Sequence, residues 1–316
     1  MRGSMNVIRI GTRGSALALA QTNWVKRKLA ERYPELRVEI VTIKTSGDRF
    51  LNAPMKAIAG KGIFVKEIEE ALLRKEIDLA VHSMKDLPTE MTAGLTIAAI
   101  PEREDARDVL VGVADRGLKN LRTGAKIGTG SLRRQAQILH CRADLSVVPI
   151  RGNVDTRLRK MDAGEVDGLV MAAAGLKRLG LEKRITEYLA EEICLGAVAQ
   201  GALGLQTRED DAAGRLLAFL RHAPTTLEVG AERAFLARLG GGCQLPVGAR
   251  AWAARDGLRL AAVIAQPDGR KVFREEAEGR AEDAESLGTA LAERLLSLGA
   301  DSVLNVENGD LAHDAN

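Results

Sequence analysis

Three short stretches combine small residues with cations in a way that suits an anion: Thr12-Arg13-Gly14-Ser15, Thr129-Gly130-Ser131-Leu132-Arg133-Arg134 and Arg151-Gly152-Asn153. Each follows a short apolar run and precedes a segment of helical periodicity. Each therefore falls at the carboxyl end of a strand, where open α/β sheets bind ligands. A helix N-terminus at that place offers unpaired N–H groups and the positive end of its dipole. Arg133 and Arg134 lie in the first helical turn if Ser131 is the cap. A cation there opposes the dipole by roughly 0.3–1 kcal/mol, and a bound anion would reverse the sign. Any one of these arginines, taken alone, could as well be solvated or paired with an Asp or Glu. Three turns of one design favour a site for several anions. Gly60-Lys61-Gly62 lacks the hydroxyl residue and spacing of a P-loop, and no G-x-G-x-x-G follows a strand. Carboxylates, which suit paired guanidinium forks, are the expected anions.

Two further residues could react. Asp86 ends another apolar run, next to Lys85 and before Pro88. Nearby cations are expected to lower its pKa and keep it ionised, fit to stabilise a cation or take a proton; capping a turn is the alternative. Cys243 follows Gly240, Gly241 and Gly242, whose backbones can approach another surface closely. It is either an exposed nucleophile or attachment point, or an incidental loop cysteine. His82, His140, His222 and His313 show no pattern that pairs one of them with it. Cys141 and Cys194 lie in apolar surroundings and read as structural.

The elements that must position these residues follow from periodicity. Strands are expected at Val7–Thr12, Arg37–Ile43, Asp78–His82, Lys126–Gly128, Ser146–Ile150 and Val166–Ala172, with helices between them and a long loop over Lys44–Lys61. The IGT of 10–12 and the IGT of 127–129 both feed a small-residue turn and a helix, which implies two α/β domains of similar design, each a mostly parallel sheet. From Thr225 the pattern changes. A helix over Thr225–Leu239, capped by Thr225 or Thr226 with Glu228 as the capping-box acid, precedes three strand-like runs with Asp256-Gly257 and Asp268-Gly269 between them, then a closing helix over Ala281–Leu298. The expected fold is two such domains plus a small C-terminal α+β domain with a three-stranded antiparallel sheet. The expected boundaries are 5–101 with 200–220, 102–199, and 224–316.

Composition narrows the class. The chain has 316 residues, 46% of them hydrophobic and 28% charged, enough for two or three domains. The net charge of +3 and an aromatic content of 3% count against a general nucleic-acid binder or a base-stacking platform. No apolar run is long enough to cross a bilayer, and the opening residues lack the apolar segment of a secretory signal, so a cytoplasmic location without a membrane partner is expected. Three cysteines make no disulfide scaffold, and no Cys/His cluster suggests a metal.

Several strings together resemble one known family, the porphobilinogen deaminases (hydroxymethylbilane synthases): TRGSALA at 12–18, GKGIFVKE at 60–67, HSMKDLP at 82–88, GTGSLRR at 128–134, RGNVDTRL at 151–158, AGLKRLG at 174–180, and Glu232-Arg233 followed by GGCQLPVG at 241–248. The resemblance spans about residues 6–310 and is specific because the strings are independent and in order. It implies a transferase of tetrapyrrole and heme biosynthesis. Its first two domains would resemble type II periplasmic binding proteins. It would join four porphobilinogen molecules head to tail with loss of ammonia, on a covalent dipyrromethane primer, and act as a monomer. By resemblance Cys243 carries the primer through a thioether, and Asp86 is the catalytic carboxylate, which also contacts the primer. Lys85, Thr129, Ser131, Arg133 and Arg134 hold the primer. Arg13, Ser15, Arg151, Arg157, Arg178 and Gln200 hold substrate, and Lys61 belongs to a mobile lid. Asp86 would then be the only local negative charge. The chain departs from the family pattern at Gly130, where a second hydroxyl residue is frequent, and at Ala199, where glycine is usual. A non-enzymatic anion receptor of the same two-domain class is the alternative.

Overall fold

The computed structural model describes residues 6–46, 65–112, 117–241, 245–255 and 257–304. The chain runs through β1 (Val7–Thr12), α1 (Ala16–Arg32), β2 (Arg37–Thr42), α2 (Lys66–Leu73), β3 (Leu79–Ser83) and β4 (Leu95–Ala99). It then crosses to β5 (Asp108–Gly112), β6 (Lys126–Gly128), α3 (Leu132–Cys141), β7 (Ser146–Val148), α4 (Val154–Asp162), β8 (Gly168–Ala172), α5 (Ala173–Arg178) and β9 (Ile185–Tyr188). It returns through β10 (Leu203–Arg208) and α6 (Ala212–Leu216), and ends with α7 (Ala223–Arg238), β11 (Val247–Ala254), β12 (Gly257–Ala265), β13 (Val272–Gly279), α8 (Ala284–Leu295) and α9 (Asp301–Leu304).

Two five-stranded sheets share one plan, β2-β1-β3-β10-β4 and β7-β6-β8-β5-β9. In each, a strand–helix unit begins the same way. Ile8 and Ile10 alternate into the core along β1, and the Ser15 hydroxyl then caps α1 by accepting from the Ala18 N–H at 3.3 Å. In the second sheet the Ser131 hydroxyl caps α3 by accepting from the Arg134 N–H at 3.4 Å.

Each of these two sheets is mostly parallel, as expected, with one strand reversed. β1 runs parallel to β2 and β3, but β10 runs antiparallel to both β3 and β4. Likewise β6 is parallel to β7 and β8, while β5 is antiparallel to β8 and β9. The reason is connectivity: β5 and β10 are each delivered by a crossover from the other sheet and enter against the local strand direction.

The third sheet, β11-β12-β13, is antiparallel throughout. Leu258, Leu260, Ala262 and Ile264 on one face of β12 pack with Phe235 of α7 and Leu291 of α8. Ala261, Val263 and Ala265 on the other face pack on Ala136 of α3 and on Leu195. The third sheet is thus wedged against the second lobe beside the crossovers. Asp268-Gly269 forms the expected tight turn, with Gly269 at a φ of +75° and its carbonyl 3.0 Å from His140 Nδ1.

Three local expectations change. α7 begins at Ala223, capped by the ring of His222, which accepts from the Thr225 N–H. Pro224 in the first turn needs no N–H partner there. Glu228, freed from a capping box, pairs with Arg250 at 2.9 Å. The closing helix ends at Leu295, where a kinked segment with Gly299 at positive φ interrupts it. Cys141 is exposed at the end of α3, whereas Cys194 is buried; only the latter belongs to the core. The greater part of the expected loop over 44–61 lies outside the described residues.

Candidate active site

The two lobes touch where Leu17 of α1 meets Gly175 of α5: a Cβ on that glycine would stand 3.7 Å from Leu17. Between the lobes lies a cavity of about 200 Å³. Arg13, Ser15 and Lys85 line it from the first lobe, and Arg134, Arg157 and Arg178 from the second. Five cations thus face a space whose lining carries one carboxylate, the exposed Asp155. A second cavity of about 60 Å³ adjoins it, sharing Arg13, Ser15, Gln21 and Ser83 and adding Asp86 and His82.

The cations bear the strain of this assembly. Burial, with Arg134 nearby, pulls Arg157 down to about 10, and burial likewise pulls Arg178 down to about 10. Guanidinium groups do not give up their proton, so these shifts mean that the positive charges lack sufficient counter-charge. Arg157 donates to the Gly152 carbonyl at 2.8 Å and Arg178 to the Gly201 carbonyl at 2.6 Å, partners that carry no full negative charge. The buried Nε–H of Arg134 has no partner. A polycarboxylate supplies the counter-charge that Arg157 and Arg178 lack, so the donor set fits a group such as dipyrromethane that carries acidic side chains.

Asp86 lies in the 3₁₀ turn Met84–Asp86 that ends β3. Its pKa is raised, because burial outweighs the pull of Lys85 and Arg13. The expectation that surrounding cations would lower it is overturned by desolvation, which disfavours the charged form. Burial, reinforced by Arg134, draws Lys85 down to about 8, against the opposing effect of Asp86 and Asp108. His82 is pulled down to about 4 by burial and stays neutral. Its Nε2 lies 3.0 Å from Gln206 Oε1, and Gln206 donates to Glu69 at 2.8 Å.

Asp86 is not the only negative charge here. Asp108, at the start of β5 and fully buried, lies 2.7 Å from Arg133 and 2.8 Å from Arg134. Burial pushes Asp108 up, but the two guanidinium groups outweigh it and hold the carboxyl far below its usual range. Arg133 is consumed by this contact, by the Leu195 carbonyl and by Cys194, and it lines neither cavity. Gln200, fully buried, joins Lys85 and Arg134 to Asp108 (3.3, 3.4 and 2.8 Å). Thr129, Ser131 and Arg151 also lie off the cavity lining: Ser131 caps α3, and the Thr129 hydroxyl accepts from the Ser131 N–H at 3.2 Å. Lys61 and Cys243 lie outside the described residues.

Asp108 and the node behind the crossovers escaped the sequence. Glu232 of α7, fully buried, takes both Arg103 Nη groups (2.6 and 2.9 Å) and the N–H groups of Ala199 (2.6 Å) and Ala251 (2.9 Å). Arg103 Nε in turn donates to the Gln200 carbonyl at 2.7 Å. Ala199 has a φ of +58°, the left-handed region, where a side chain costs about 1–2 kcal/mol; this is the physical content of its departure from glycine. Gly201 follows at +87°, with its α-carbon facing the Glu104 carbonyl too closely for any Cβ. The one available signal for Asp108 was a charged residue opening a run of apolar strand residues.

Fold and site together define a two-lobed α/β protein with a cation-lined cleft between its lobes and a third sheet braced against the crossovers. The family model "Porphobilinogen deaminase, dipyromethane cofactor binding domain" matches residues 8–215, and "Porphobilinogen deaminase, C-terminal domain" matches residues 226–297. Curated porphobilinogen deaminases are close relatives. That of Pelobacter propionicus is 52% identical over 298 residues, covering 94% of this chain and 96% of its own. That of Geobacter sulfurreducens is 52% identical over 304 residues, covering 95% of each. Among solved structures, a putative methionine-binding lipoprotein of Bacillus subtilis aligns with 69% of this chain and 90% of its own at 13% identity and a TM-score of 0.42; the fold stands on the strand order above and not on that likeness. The chain belongs to the porphobilinogen deaminase family. It is accordingly a transferase of tetrapyrrole biosynthesis that uses a dipyrromethane cofactor.

Proposed function

We propose that the cleft between the lobes is where porphobilinogen units are joined head to tail into hydroxymethylbilane, with Asp86 as the reacting carboxylate and Cys243 as the point of attachment. The observation that carries this reading is the set of five cations around one cavity, of which Arg157 and Arg178 are buried against backbone carbonyls. Each pyrrole brings two carboxylates, so a growing chain needs many anchors. Arg13, Ser15, Lys85, Arg134, Arg157 and Arg178 are placed to supply them; Thr129, Ser131, Arg133 and Gln200 act from behind the wall, Arg151 from the turn before α4, and Lys61 from the segment between β2 and α2.

The chemistry follows from the position of Asp86. Loss of ammonia from the aminomethyl carbon breaks a C–N bond and leaves a pyrrole cation. A carboxylate in a water-poor wall stabilises that cation more strongly than one in water. The burial that raises the Asp86 pKa also makes the approach of a cation favourable. The dipyrromethane, when bound, would supply the terminal pyrrole to which the first unit is joined; each later unit is joined to the one before it. Holding that chain by a thioether makes each addition partly intramolecular, which favours orientation.

The division into 5–101 with 200–220, 102–199 and 224–316 is our working description of the bodies that could move relative to one another. We take the protein to act as a cytoplasmic monomer on a small molecule, without nucleic acid or membrane; the net charge of +3 and the 3% of aromatic residues support the exclusion of nucleic acid. Incubation with porphobilinogen, following ammonia release and the colour of the oxidised tetrapyrrole, tests the reading. Ammonia with coloured product is expected; reversible carboxylate binding with no ammonia would favour an anion receptor.

A further inference from the structure

The wall of the cleft is built on one buried carboxylate. We propose that Asp108 is a positioning residue for the reaction: it consumes Arg133, aims Arg134, and through Gln200 holds the Lys85 ammonium at the cavity. The inference rests on the reading of the cleft as the reaction site and adds to it a residue that touches neither cavity.

The geometry fixes each link. Asp108 is fully buried at the first position of β5, the strand that the crossover inserts antiparallel between β8 and β9. Its Oδ1 accepts from Arg134 Nη2 at 2.8 Å and from Gln200 Nε2 at 2.8 Å, and its Oδ2 lies 2.7 Å from Arg133 Nη1. Gln200 Nε2 also donates to the Ala106 carbonyl at 2.7 Å. With both acceptors on the nitrogen side, the amide has one orientation, and Oε1 must face Lys85 Nζ at 3.3 Å and Arg134 Nη2 at 3.4 Å. Lys85 and Arg134 both line the cavity, whereas Asp108, Gln200 and Arg133 do not. The carboxylate therefore acts only through the side chains it holds. The Arg134 Nε–H is buried and unpartnered.

The same links set the charge on Lys85. The charged groups that bear on it are Asp86 on its own turn, Arg133 and Arg134 on α3, Asp108 on β5, and, around the cavity, Arg13, Arg157 and Arg178. Asp108 and Asp86 are the groups that favour the ammonium; the guanidinium groups oppose it. Lys85 titrates at about 8, so its grip on an acidic chain is present below that pH and lost as pH rises through it. Removing the Asp108 charge lowers the Lys85 pKa further, and the loss then begins at lower pH.

The test is the pH profile of ammonia release from porphobilinogen by the dipyrromethane-loaded enzyme. In the wild-type protein activity is expected to fall as pH rises through about 8. In Asp108→Asn the alkaline limb moves to lower pH by on the order of one unit, and Asp108→Glu returns it towards the wild-type position. Gln200→Met keeps the Asp108–arginine contacts and so keeps the fold. It removes the carbonyl oxygen from Lys85, and the limb moves the same way by less. A profile in Gln200→Met that superimposes on wild type overturns the proposal, whether or not Asp108→Asn folds. An unshifted limb in a folded Asp108→Asn, with only a lower melting temperature, also overturns it. Absence of ammonia release from the loaded wild-type enzyme would instead overturn the reading of the cleft on which the proposal rests.

Discussion

Asp86 and Asp108 are the same residue in the same wall, and the protein treats them in opposite ways. Asp108 has two guanidinium groups at 2.7 and 2.8 Å, and its pKa is held far down despite complete burial. Asp86 has cations nearby, Lys85 and Arg13, yet burial wins and its pKa is raised. A carboxylate with two close guanidinium contacts is an internal counter-ion with little left to offer. A carboxylate without them retains its capacity to meet a cation that forms during the reaction. Direct contact, not the number of cations in the neighbourhood, separates the scaffold from the reacting group.

The same substitution at the two sites should therefore give different phenotypes. Asp108→Asn leaves two buried arginines without their counter-charge and should cost about 3–5 kcal/mol of stability, read by denaturant unfolding. The sign with pH is fixed: Asp108 has a depressed folded pKa, so its contribution is present above the ordinary carboxylate range and is lost as pH falls through its folded value. Asp86→Asn removes a charge whose burial is unfavourable, so its melting temperature should equal or exceed that of wild type, while turnover falls by about 10²–10³-fold. A stable, active Asp108→Asn or an unfolded Asp86→Asn would erase the distinction.

A milder contrast lies among the cations. Arg133 is spent on Asp108 and the Leu195 carbonyl, whereas Arg157 and Arg178 face the cavity under-compensated. Arg157→Met or Arg178→Met should keep the unfolding free energy within about 0.5 kcal/mol of wild type and raise the KM for porphobilinogen. Arg133→Met should do the reverse, lowering stability first. The smallest expected effect is at the crossover. Ala199→Gly relieves a left-handed alanine at a φ of +58° and should stabilise by up to about 1 kcal/mol, the strain relieved less the freedom that glycine adds to the unfolded chain, seen as a higher denaturation midpoint.

Much of the architecture was readable because it is local. A short apolar run marked β1, Ser131 as the cap marked the start of α3, and Asp268-Gly269 marked a hairpin. The antiparallel placement of β5 and β10 was not readable, because each pairs with strands that come from the far side of a crossover: Leu203 opposes Ser83, and Asp108 opposes Ala172. The basic turns gave the cleft its sign, and the structure gathers Arg13, Lys85, Arg134, Arg157 and Arg178 around it. Counting cations along the chain, however, misjudged Asp86, since desolvation belongs to the folded wall and not to the sequence. It also missed Asp108, and gave Glu232 only as part of a motif without its role; both are single acids whose value comes from partners many residues away.

The central claim is that an acidic chain grows while tethered in the cationic cleft opposite Asp86, and intact mass reads this directly. After brief exposure of the loaded enzyme to porphobilinogen, the account predicts a ladder above the primer-bearing chain, in steps of one deaminated pyrrole. It also predicts that Asp86→Asn remains at the primer mass and that Cys243→Ser shows the bare chain. A wild-type protein that consumes porphobilinogen at the mass of its bare sequence would contradict it.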